Sequence, residues 1–363
     1  MMRKPLFILL FFYSFIFSSS AASRYDNPDT IVVARDGTGE FRTVGEAIEV
    51  CRAFMDYHKV IYVKRGTYKE KLIIPQWLQN IEICGEDRDQ TVITYDDHAN
   101  IKALQAPLLS PEGDIKASPM GGGLEGWGGQ KASPMGGGLE GAPSPQIIGT
   151  FRTYTVKVEG NAITFKNITI ENNAPRLGQA VALHTEGDRL VFVNCRFLGN
   201  QDTVYTGMEA TRLYFRDCYI EGTTDFIFGP STAWFERCHI HCKANSYITA
   251  ASTPKDIMYG YIFNKCTITC APEVTQVYLG RPWRDYGYTL FMYCSLPAQI
   301  RPEGWHHWEK QREQTARYFE YGNTGEGAAT SRRVGWSRQL TPQEAQQITL
   351  ERVFRRSDSW DVE

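Results

Sequence analysis

A short motif recurs along the chain, in which Phe lies three residues before Cys inside a run of β-forming residues. Its five copies are VFVNCRF (Phe192, Cys195), LYFRDCYI (Phe215, Cys218), AWFERCHI (Phe235, Cys238), YIFNKCTI (Phe263, Cys266) and LFMYCSL (Phe291, Cys294). A sixth copy, ITFKNITI, has Phe165 and Ile168, and from Ile168 onward the copies are spaced by 27, 23, 20, 28 and 28 residues. A near-regular period of this length is typical of solenoids, because one repeat cannot bury its apolar face without a neighbour.

The repeat predicts an all-β fold, a parallel β-helix in which each coil contributes short strands to a stack. No helical pattern lies between the copies, which disfavours a layered βαβ arrangement. In FRTVGEAIEVCRAF, Thr43 and Glu46 have the spacing of a capping box, which predicts a short N-terminal helix that closes one end of the solenoid. In TPQEAQQITLERVF, Thr341, Pro342 and Glu344 predict a C-terminal helix in the same way.

The first 22 residues have the pattern of a secretory signal peptide. Arg3 and Lys4 precede the apolar run Leu6–Phe17, and small residues follow, so cleavage is expected near Ala22. The apolar run is shorter than the ~20 residues that a membrane span needs. We therefore expect a secreted protein, in the extracellular medium, a cell wall or a periplasm, without a membrane partner. The net charge of −2 does not indicate a nucleic-acid partner either.

One segment interrupts the repeat pattern. KASPMGGGLEG occurs at residues 116–126 and again, unchanged, at 131–141, within a stretch rich in Gly, Pro and Ser at about 103–146. Such low-complexity sequence has little to bury, so a disordered surface loop is expected. We therefore predict a single domain over residues 23–363, interrupted by this insert.

The nine cysteines are predicted to be buried, stacked residues of the solenoid. CHIHC, from Cys238 to Cys242, suggests a zinc site, but side chains alternate between the two faces of a strand and the histidines would point away from the cysteines. Four residues of strand also separate the two cysteines by ~13 Å, too far for a disulfide. We therefore expect no metal site here.

Two aspartates, Asp202 and Asp225, lie in runs that otherwise consist mainly of aromatic and β-branched residues. They are 23 residues apart, one coil of the repeat, so their carboxyl groups are expected to stack at a separation of about 4.8 Å. Like charges at that distance raise the pKa of one group and leave the other ionised. From spacing alone they could be solvated turn residues, half of a metal site, or a catalytic pair.

Other polar residues fall on nearby coils. LGRPWRDYG contains Arg281, which could hold one carboxylate ionised through a bidentate ion pair. The same segment contains Trp283, either a platform for a sugar ring or an ordinary packing residue. Gln201 precedes Asp202, and Gln179 lies one coil earlier. Their amides could donate to a developing oxyanion or could form a stabilising amide ladder.

The motifs GTFRTYTV, GQAVAL, GNQDTVY, GTTDFIFG and LGRPW together resemble the pectin methylesterase (pectinesterase) family. The resemblance runs from about Ile31 to Ala345, apart from the insert, and five motifs in order make it specific. It implies a right-handed parallel β-helix and removal of methyl groups from esterified galacturonate in pectin, with release of methanol. It also implies that no metal and no cofactor are needed.

The resemblance assigns a role to each aspartate. Asp225 matches the nucleophile, whose carboxylate attacks the ester carbonyl. Asp202 matches the general acid that protonates the departing methanol and then activates water.

The remaining site residues are assigned by the same motifs. Gln201 and Gln179 would stabilise the tetrahedral oxyanion, and Arg281 would orient the nucleophile and keep it charged. Trp283, together with Thr150 in GTFRTYTV, would contact the substrate. The turn YTGMEATRLY is about two residues longer than in many members of the family, and YITAAS, residues 247–252, also departs from the usual pattern.

Three other functions stay open. A pectate lyase would need an acidic calcium cluster, which the sequence does not show near Arg281, and an inverting polygalacturonase would need carboxyl groups ~6.5–9.5 Å apart. A non-catalytic polysaccharide-binding β-helix would not need both aspartates. A serine esterase is disfavoured because no G-x-S-x-G motif occurs. The partner expected for the esterase is methyl-esterified pectin, acted on by a monomer.

Overall fold

The computed structural model describes residues 24–102 and 147–362, without 310, 359 and 361. The predicted signal peptide and the predicted low-complexity insert both lie outside these residues. Three short helices and 25 strands are found in the described ranges.

The strands form three parallel sheets, which we call A, B and C. Sheet A contains β1 (Ile31–Val33), β2 (Lys59–Val63), β5 (Gln79–Gly85), β8 (Asn161–Lys166), β11 (Leu190–Val193), β14 (Arg212–Arg216), β17 (Thr232–Glu236), β20 (Tyr261–Asn264), β23 (Tyr288–Met292), β24 (Arg317–Tyr321) and β25 (Arg338–Gln339). Sheet B contains β3 (Gly66–Lys69), β6 (Thr91–Tyr95), β9 (Thr169–Asn172), β12 (Arg196–Leu198), β15 (Tyr219–Gly222), β18 (His239–Cys242) and β21 (Thr267–Cys270). Sheet C contains β4 (Leu72–Ile74), β7 (Val156–Val158), β10 (Leu183–Thr185), β13 (Val204–Thr206), β16 (Ile227–Gly229), β19 (Tyr247–Ala251) and β22 (Tyr278–Gly280).

From β2 to β22, each turn of the chain passes through sheets A, B and C before it returns to A one coil higher. Thus β14, β15 and β16 form one coil, and β17 pairs with β14 to begin the next. This is the right-handed parallel β-helix that was predicted, and the prediction of the fold is confirmed.

The repeated Phe residues form a continuous ladder inside the solenoid. Consecutive rings from Phe165 to Phe291 are stacked nearly parallel, with centroids 4.3–5.6 Å apart. Each repeated Cys donates its Sγ hydrogen to the carbonyl oxygen of the Phe one coil earlier, at 3.3–3.5 Å. The repeated Phe and Cys of neighbouring coils therefore form one structural unit. All nine cysteines are free thiols.

A left-handed residue forms the corner between sheets A and B in each of these coils. The residue before the repeated Ile168 or Cys has a φ of 49–56°, and the six corner residues are Asn167, Asn194, Asp217, Arg237, Lys265 and Tyr293. Asn and Asp adopt this conformation most readily among residues other than Gly. The corner lets Phe face the interior from sheet A and Cys face it from the start of sheet B.

The N-terminal helix α1 (Val44–Glu49) has the predicted capping box of Thr43 and Glu46. The carboxylate of Glu70 adds a second cap, because it accepts hydrogen bonds from the first backbone N–H groups of the helix at 3.0 and 2.9 Å. The buried side chains of α1 join the core next to the first strands of sheets A and C. The helix is shorter than the sequence pattern and has its C-cap at Val50.

The predicted C-terminal helix is two short helices, α2 (Pro342–Gln346) and α3 (Leu350–Phe354). Thr341 caps the first helix as predicted, and Thr349 caps the second by accepting a hydrogen bond from the backbone of Arg352. This second N-cap ends the first helix, since its residue needs an extended backbone. Three 3₁₀ turns complete the structure: Thr150–Arg152, Arg312–Gln314 and Glu326–Ala328. In the part of the chain that is described, no helix is long and apolar enough to cross a membrane.

The C-terminal segment, residues 340–358, covers the outer face of sheet A. An apolar cluster there joins residues of the segment to the sheet, and its buried members are Tyr214, Trp234, Ile262, Tyr288, Leu290, Met292, Leu340, Val353 and Phe354. The buried Arg212 fastens the segment, because it donates hydrogen bonds to Asp188 at 2.6 and 3.1 Å and to Asp358 at 2.7 Å. Arg212 also donates to the carbonyl oxygen of Phe354 at 3.0 Å.

We predict that Phe215→Ala lowers the free energy of unfolding by about 3–5 kcal/mol, because the cavity it leaves interrupts the ladder between Phe192 and Phe235. Denaturant unfolding of the purified protein would measure the change. Met258→Ala serves as the control, because that side chain is 68% exposed. Equal stability of the two variants would contradict a structural role for the ladder.

The ion pairs of Arg212 predict how stability depends on pH. Hydrogen bonds from Arg212 lower the pKa of Asp358. A carboxylate whose pKa is lower in the folded state stabilises the fold above about pH 4 and loses that contribution as the pH falls. The melting temperature of Asp358→Asn should therefore fall less between pH 5 and pH 3 than that of the wild type. The exposed Asp29, changed to Asn, is the control and should follow the wild type.

Candidate active site

Asp202 and Asp225 occupy equivalent corners on successive coils, each two residues before a strand of sheet C. Both backbones are left-handed, with φ of 67° and 48°, a conformation that Asp tolerates better than most residues. The following strands pair in parallel with Val204 opposite Ile227, so the two corners lie one above the other. The predicted stacking of the two aspartates is therefore present in the structure.

The seven predicted site residues line one cavity of about 260 Å³ at the outer face of sheet C. Its lining consists of Thr150, Phe151, Gln179, Gln201, Asp202, Asp225, Phe228, Ala250, Arg281, Trp283 and Trp308. The cavity is contributed by segments that are far apart in sequence. Coil stacking brings them together.

The two carboxyl groups differ in their partners. Asp225 accepts two hydrogen bonds from Arg281, from Nε to Oδ1 at 3.0 Å and from Nη2 to Oδ2 at 2.6 Å. Among the described residues, none donates a hydrogen bond to the carboxyl group of Asp202, although its side chain is buried. The site therefore contains one paired and one unpaired carboxyl group.

These surroundings affect the pKa values of the two aspartates differently. Burial raises the pKa of Asp202 well above its usual range, and the negative charge of Asp225 raises it further. Burial also raises the pKa of Asp225, but the hydrogen bonds and the charge of Arg281 oppose that rise. Of the two groups, Asp225 is therefore expected to ionise first.

The position of Arg281 depends on a glycine. A Cβ atom on Gly280 would lie 1.9 Å from Oγ1 of Thr249 on the neighbouring coil. Without that side chain, the two coils approach closely and the backbone N–H of Arg281 donates to the carbonyl oxygen of Thr249 at 3.0 Å. The Arg281 side chain then reaches Asp225, which lies two coils earlier.

Backbone hydrogen bonds hold the two glutamines at the cavity. The carbonyl oxygen of Gln201 accepts a hydrogen bond from Ala180 at 3.0 Å, and that of Gln179 accepts one from Ala99 at 2.8 Å. These bonds join successive coils, so both side-chain amides stay free to line the cavity. Amide N–H groups in such a position can stabilise an oxyanion.

A buried amide supports the wall behind Thr150. Nδ2 of Asn172 donates to the carbonyl oxygens of Asp97, Thr153 and Val181 at 2.9, 3.0 and 3.1 Å. These contacts fix the turn that carries Thr150 against the segment that carries Gln179. Sequence reasoning did not identify Asn172, since one Asn in a strand carries no recognisable signal.

Aromatic residues form the rest of the cavity. Trp283 contacts Phe228 and Tyr205 edge to face, with centroids 5.8 and 6.5 Å apart, and Tyr205 stacks on Phe228 at 4.7 Å. Phe151 lies 4.8 Å from Tyr205. An apolar wall of rings beside polar groups is typical of carbohydrate sites.

Four lining residues were missed from the sequence: Phe151, Phe228, Ala250 and Trp308. Phe151 is adjacent to Thr150, and Phe228 lies within the same motif as Asp225, so their proximity in sequence to the recognised residues could have indicated them. Trp308 lies in a loop beyond the repeated pattern, where neither period nor spacing indicates it. Within the described residues, no group of three or more His, Cys, Asp or Glu side chains is placed to hold a metal ion.

Comparison with known proteins identifies one family. Residues 30–108 and 129–357 match the family model Pectinesterase. Pectinesterase 31 of Arabidopsis thaliana is 36% identical over 317 residues, which cover 86% of this chain and 88% of the relative. Probable pectinesterase/pectinesterase inhibitor 6 of the same plant is 33% identical over 334 residues, which cover 88% of this chain and 51% of the relative. The chain thus spans about half the length of that second relative.

Solved structures with the same fold come from two further organisms. A pectin methylesterase from carrot has a TM-score of 0.74 and 29% identity, with 90% of this chain and 93% of that chain covered. A pectin methylesterase from Aspergillus niger has a TM-score of 0.67 and 27% identity, with 88% and 93% covered.

The charge arrangement predicts two changes in titration. Arg281→Gln should raise the pKa of Asp225, because the hydrogen bonds that oppose the effect of burial are lost. Asp225→Asn should lower the pKa of Asp202, because a neighbouring negative charge is removed. NMR of protein labelled with ¹³C at the aspartate carboxyl groups would measure both. Arg301→Gln is the control, because Arg301 stacks on Tyr278 and does not contact either aspartate. If the pKa values were unchanged in Arg281→Gln and Asp225→Asn, the proposed effects of Arg281 and Asp225 would be contradicted.

Proposed function

The chain belongs to the pectinesterase family, and we propose that it removes the methyl esters of pectin in the cavity around Asp202 and Asp225. The observation that carries this proposal is the stacking of two buried carboxyl groups on adjacent coils, of which Asp225 accepts two hydrogen bonds from Arg281 and Asp202 accepts none from the described residues. A nucleophile and a proton donor then lie side by side, as acyl transfer requires.

In the first step, a carboxylate oxygen of Asp225 bonds to the carbonyl carbon of the methyl ester at C6 of a galacturonate unit. The carbonyl oxygen becomes an oxyanion beside the amides of Gln179 and Gln201. As the bond from carbon to the methoxy oxygen breaks, Asp202 gives its proton to that oxygen. Methanol leaves, and the sugar remains attached to Asp225 as an anhydride.

In the second step, the ionised Asp202 takes a proton from water, and the water oxygen bonds to the same carbonyl carbon. The bond from that carbon to the oxygen of Asp225 breaks. Asp225 regains its charge and its ion pair with Arg281, while Asp202 is protonated again. The sum is one ester and one water converted to one carboxylic acid and one methanol, with the enzyme unchanged.

The shape of the surface is in keeping with a polymeric substrate. Beside the site lies a larger cavity of about 760 Å³, and Trp283 lines both. Lys255, Arg284 and Arg312 also line the larger cavity. We propose that methyl-esterified homogalacturonan runs through both cavities, with Trp283 and Thr150 against the sugar whose ester is cleaved.

Further predictions remain proposals. One chain supplies all seven site residues, in keeping with a monomer that acts without a cofactor. Secretion rests on the signal peptide predicted at the N-terminus, and the single domain on the continuity of the three sheets through both described ranges.

We predict that the mature protein releases methanol from highly methylated pectin, and that Asp225→Asn lowers kcat at least ~10³-fold, because the amide cannot act as the nucleophile. Asp217→Asn is a matched control, since Asp217 is also a left-handed corner residue, with a φ of 54°, but lies outside the cavity. Methanol is measured directly, and circular dichroism establishes that each variant is folded.

The same reactions are assayed for new reducing ends and for unsaturated uronides. Reducing ends without methanol would indicate a polygalacturonase, and unsaturated ends would indicate a lyase. Full methanol release by Asp225→Asn would overturn the assignment of the nucleophile. Binding of pectin without any product would indicate a non-catalytic β-helix.

A further inference from the structure

Arg281 lies between two aromatic rings. The centre of its guanidinium group is 3.9 Å from the ring centroid of Tyr247 and 3.8 Å from that of Trp308. Both distances are within the range of a favourable cation–π contact, about 6 Å. The guanidinium faces are covered, so its edge is left for hydrogen bonds to Asp225.

Tyr247 differs from Trp308 in its relation to the cavity. Trp308 lines the cavity and is therefore placed to contact a substrate, whereas Tyr247 is not part of the lining. Tyr247 belongs to β19, next to Tyr278 on β22, and their rings stack with centroids 5.3 Å apart and planes 11° apart. The Tyr247 ring thus contacts both the Tyr278 ring and the Arg281 guanidinium group.

Tyr247 holds both partners of the ion pair. Its carbonyl oxygen accepts a hydrogen bond from the backbone N–H of Asp225 at 2.8 Å, while its ring covers the guanidinium group of Arg281. The backbone contact does not depend on the side chain. A substitution of Tyr247 therefore tests the ring alone.

We propose that Tyr247 is a positioning residue, whose ring fixes the guanidinium plane of Arg281 so that Arg281 presents two N–H groups to Asp225. This inference rests on the proposed function, in which Asp225 is the nucleophile. Arginine has a long side chain with many rotamers, and its bidentate geometry is useful only when the plane is aligned with the carboxylate. Stacking from both sides removes the other orientations.

The groups that act on this pair are few. The charges acting on Asp225 are those of Arg281 and, once ionised, Asp202, and the buried Tyr318 senses the charge of Asp225. His306 lies 5.5 Å from the Tyr247 ring, and burial lowers the pKa of His306, as does the positive charge of Arg281. Loss of the Tyr247 ring changes none of these charges directly, so its effect must pass through Arg281.

The test compares Tyr247→Leu with Tyr247→Phe. Leu removes the aromatic face, so kcat should fall about tenfold with KM within about twofold, and the pKa of Asp225, measured by carboxyl ¹³C NMR, should rise. Phe keeps the face and should retain the wild-type kcat and pKa. Tyr278→Leu is the matched control, because it removes a neighbouring ring of the same stack that does not cover Arg281, and its kcat should stay within about twofold of the wild type.

The inference is overturned if Tyr247→Leu leaves the Asp225 pKa and kcat unchanged, or if Tyr247→Phe loses as much as Leu does. It is also overturned if Tyr278→Leu has the same effect as Tyr247→Leu. The NMR titration does not require activity, so it decides the role of Tyr247 even if the wild type releases no methanol. If Tyr247→Leu does not fold, the same comparison can be made between Tyr247→Trp and Tyr247→Met. Trp keeps an aromatic face, and Met does not.

Discussion

Hydrogen bonding between successive coils is the constraint on which the rest of the structure depends. Because parallel strands pair in register, a residue on one coil lies about 4.8 Å from its equivalent on the next. This spacing produces the Phe ladder inside and the stacked Asp202 and Asp225 outside. The same repeat therefore generates the core and the site, and a change of register at one coil would disturb both.

Within the site, the two hydrogen bonds from Arg281 make the surroundings of Asp225 different from those of Asp202. Two buried carboxyl groups on adjacent coils would both tend to be neutral, since burial penalises the charged form of each. Arg281 breaks that equivalence, because it donates hydrogen bonds to Asp225 alone and so opposes the rise in the pKa of that group. The stacked rings of Tyr247 and Trp308 then decide how firmly the arginine holds its orientation. The two carboxyl groups are thus distinguished by a residue that lies two coils after Asp225.

The fold could be predicted from the sequence because the Phe and Cys positions repeat at intervals set by one coil. The seven predicted site residues lie in five recognisable motifs and line one cavity, while their roles stay a prediction. Part of what the sequence did not reveal lies outside the repeat. Trp308 comes from an irregular loop, and the break at Thr349 depends on a capping hydrogen bond that competes with helical periodicity. Such features are decided by tertiary contacts, and periodicity does not record them.

All nine thiols are free, so no covalent cross-link joins one coil to the next. Noncovalent contacts therefore hold the coils together, and the coils can separate one after another from an end. At the C-terminal end, Arg212 holds the C-terminal segment. This segment lies across the sheet A strands of the coils that carry Asp225 and Arg281. Loss of that segment would uncover sheet A on the coils that carry Asp225 and Arg281 and leave the N-terminal coils covered, so a truncation there would disturb the candidate site before it unfolded the whole solenoid.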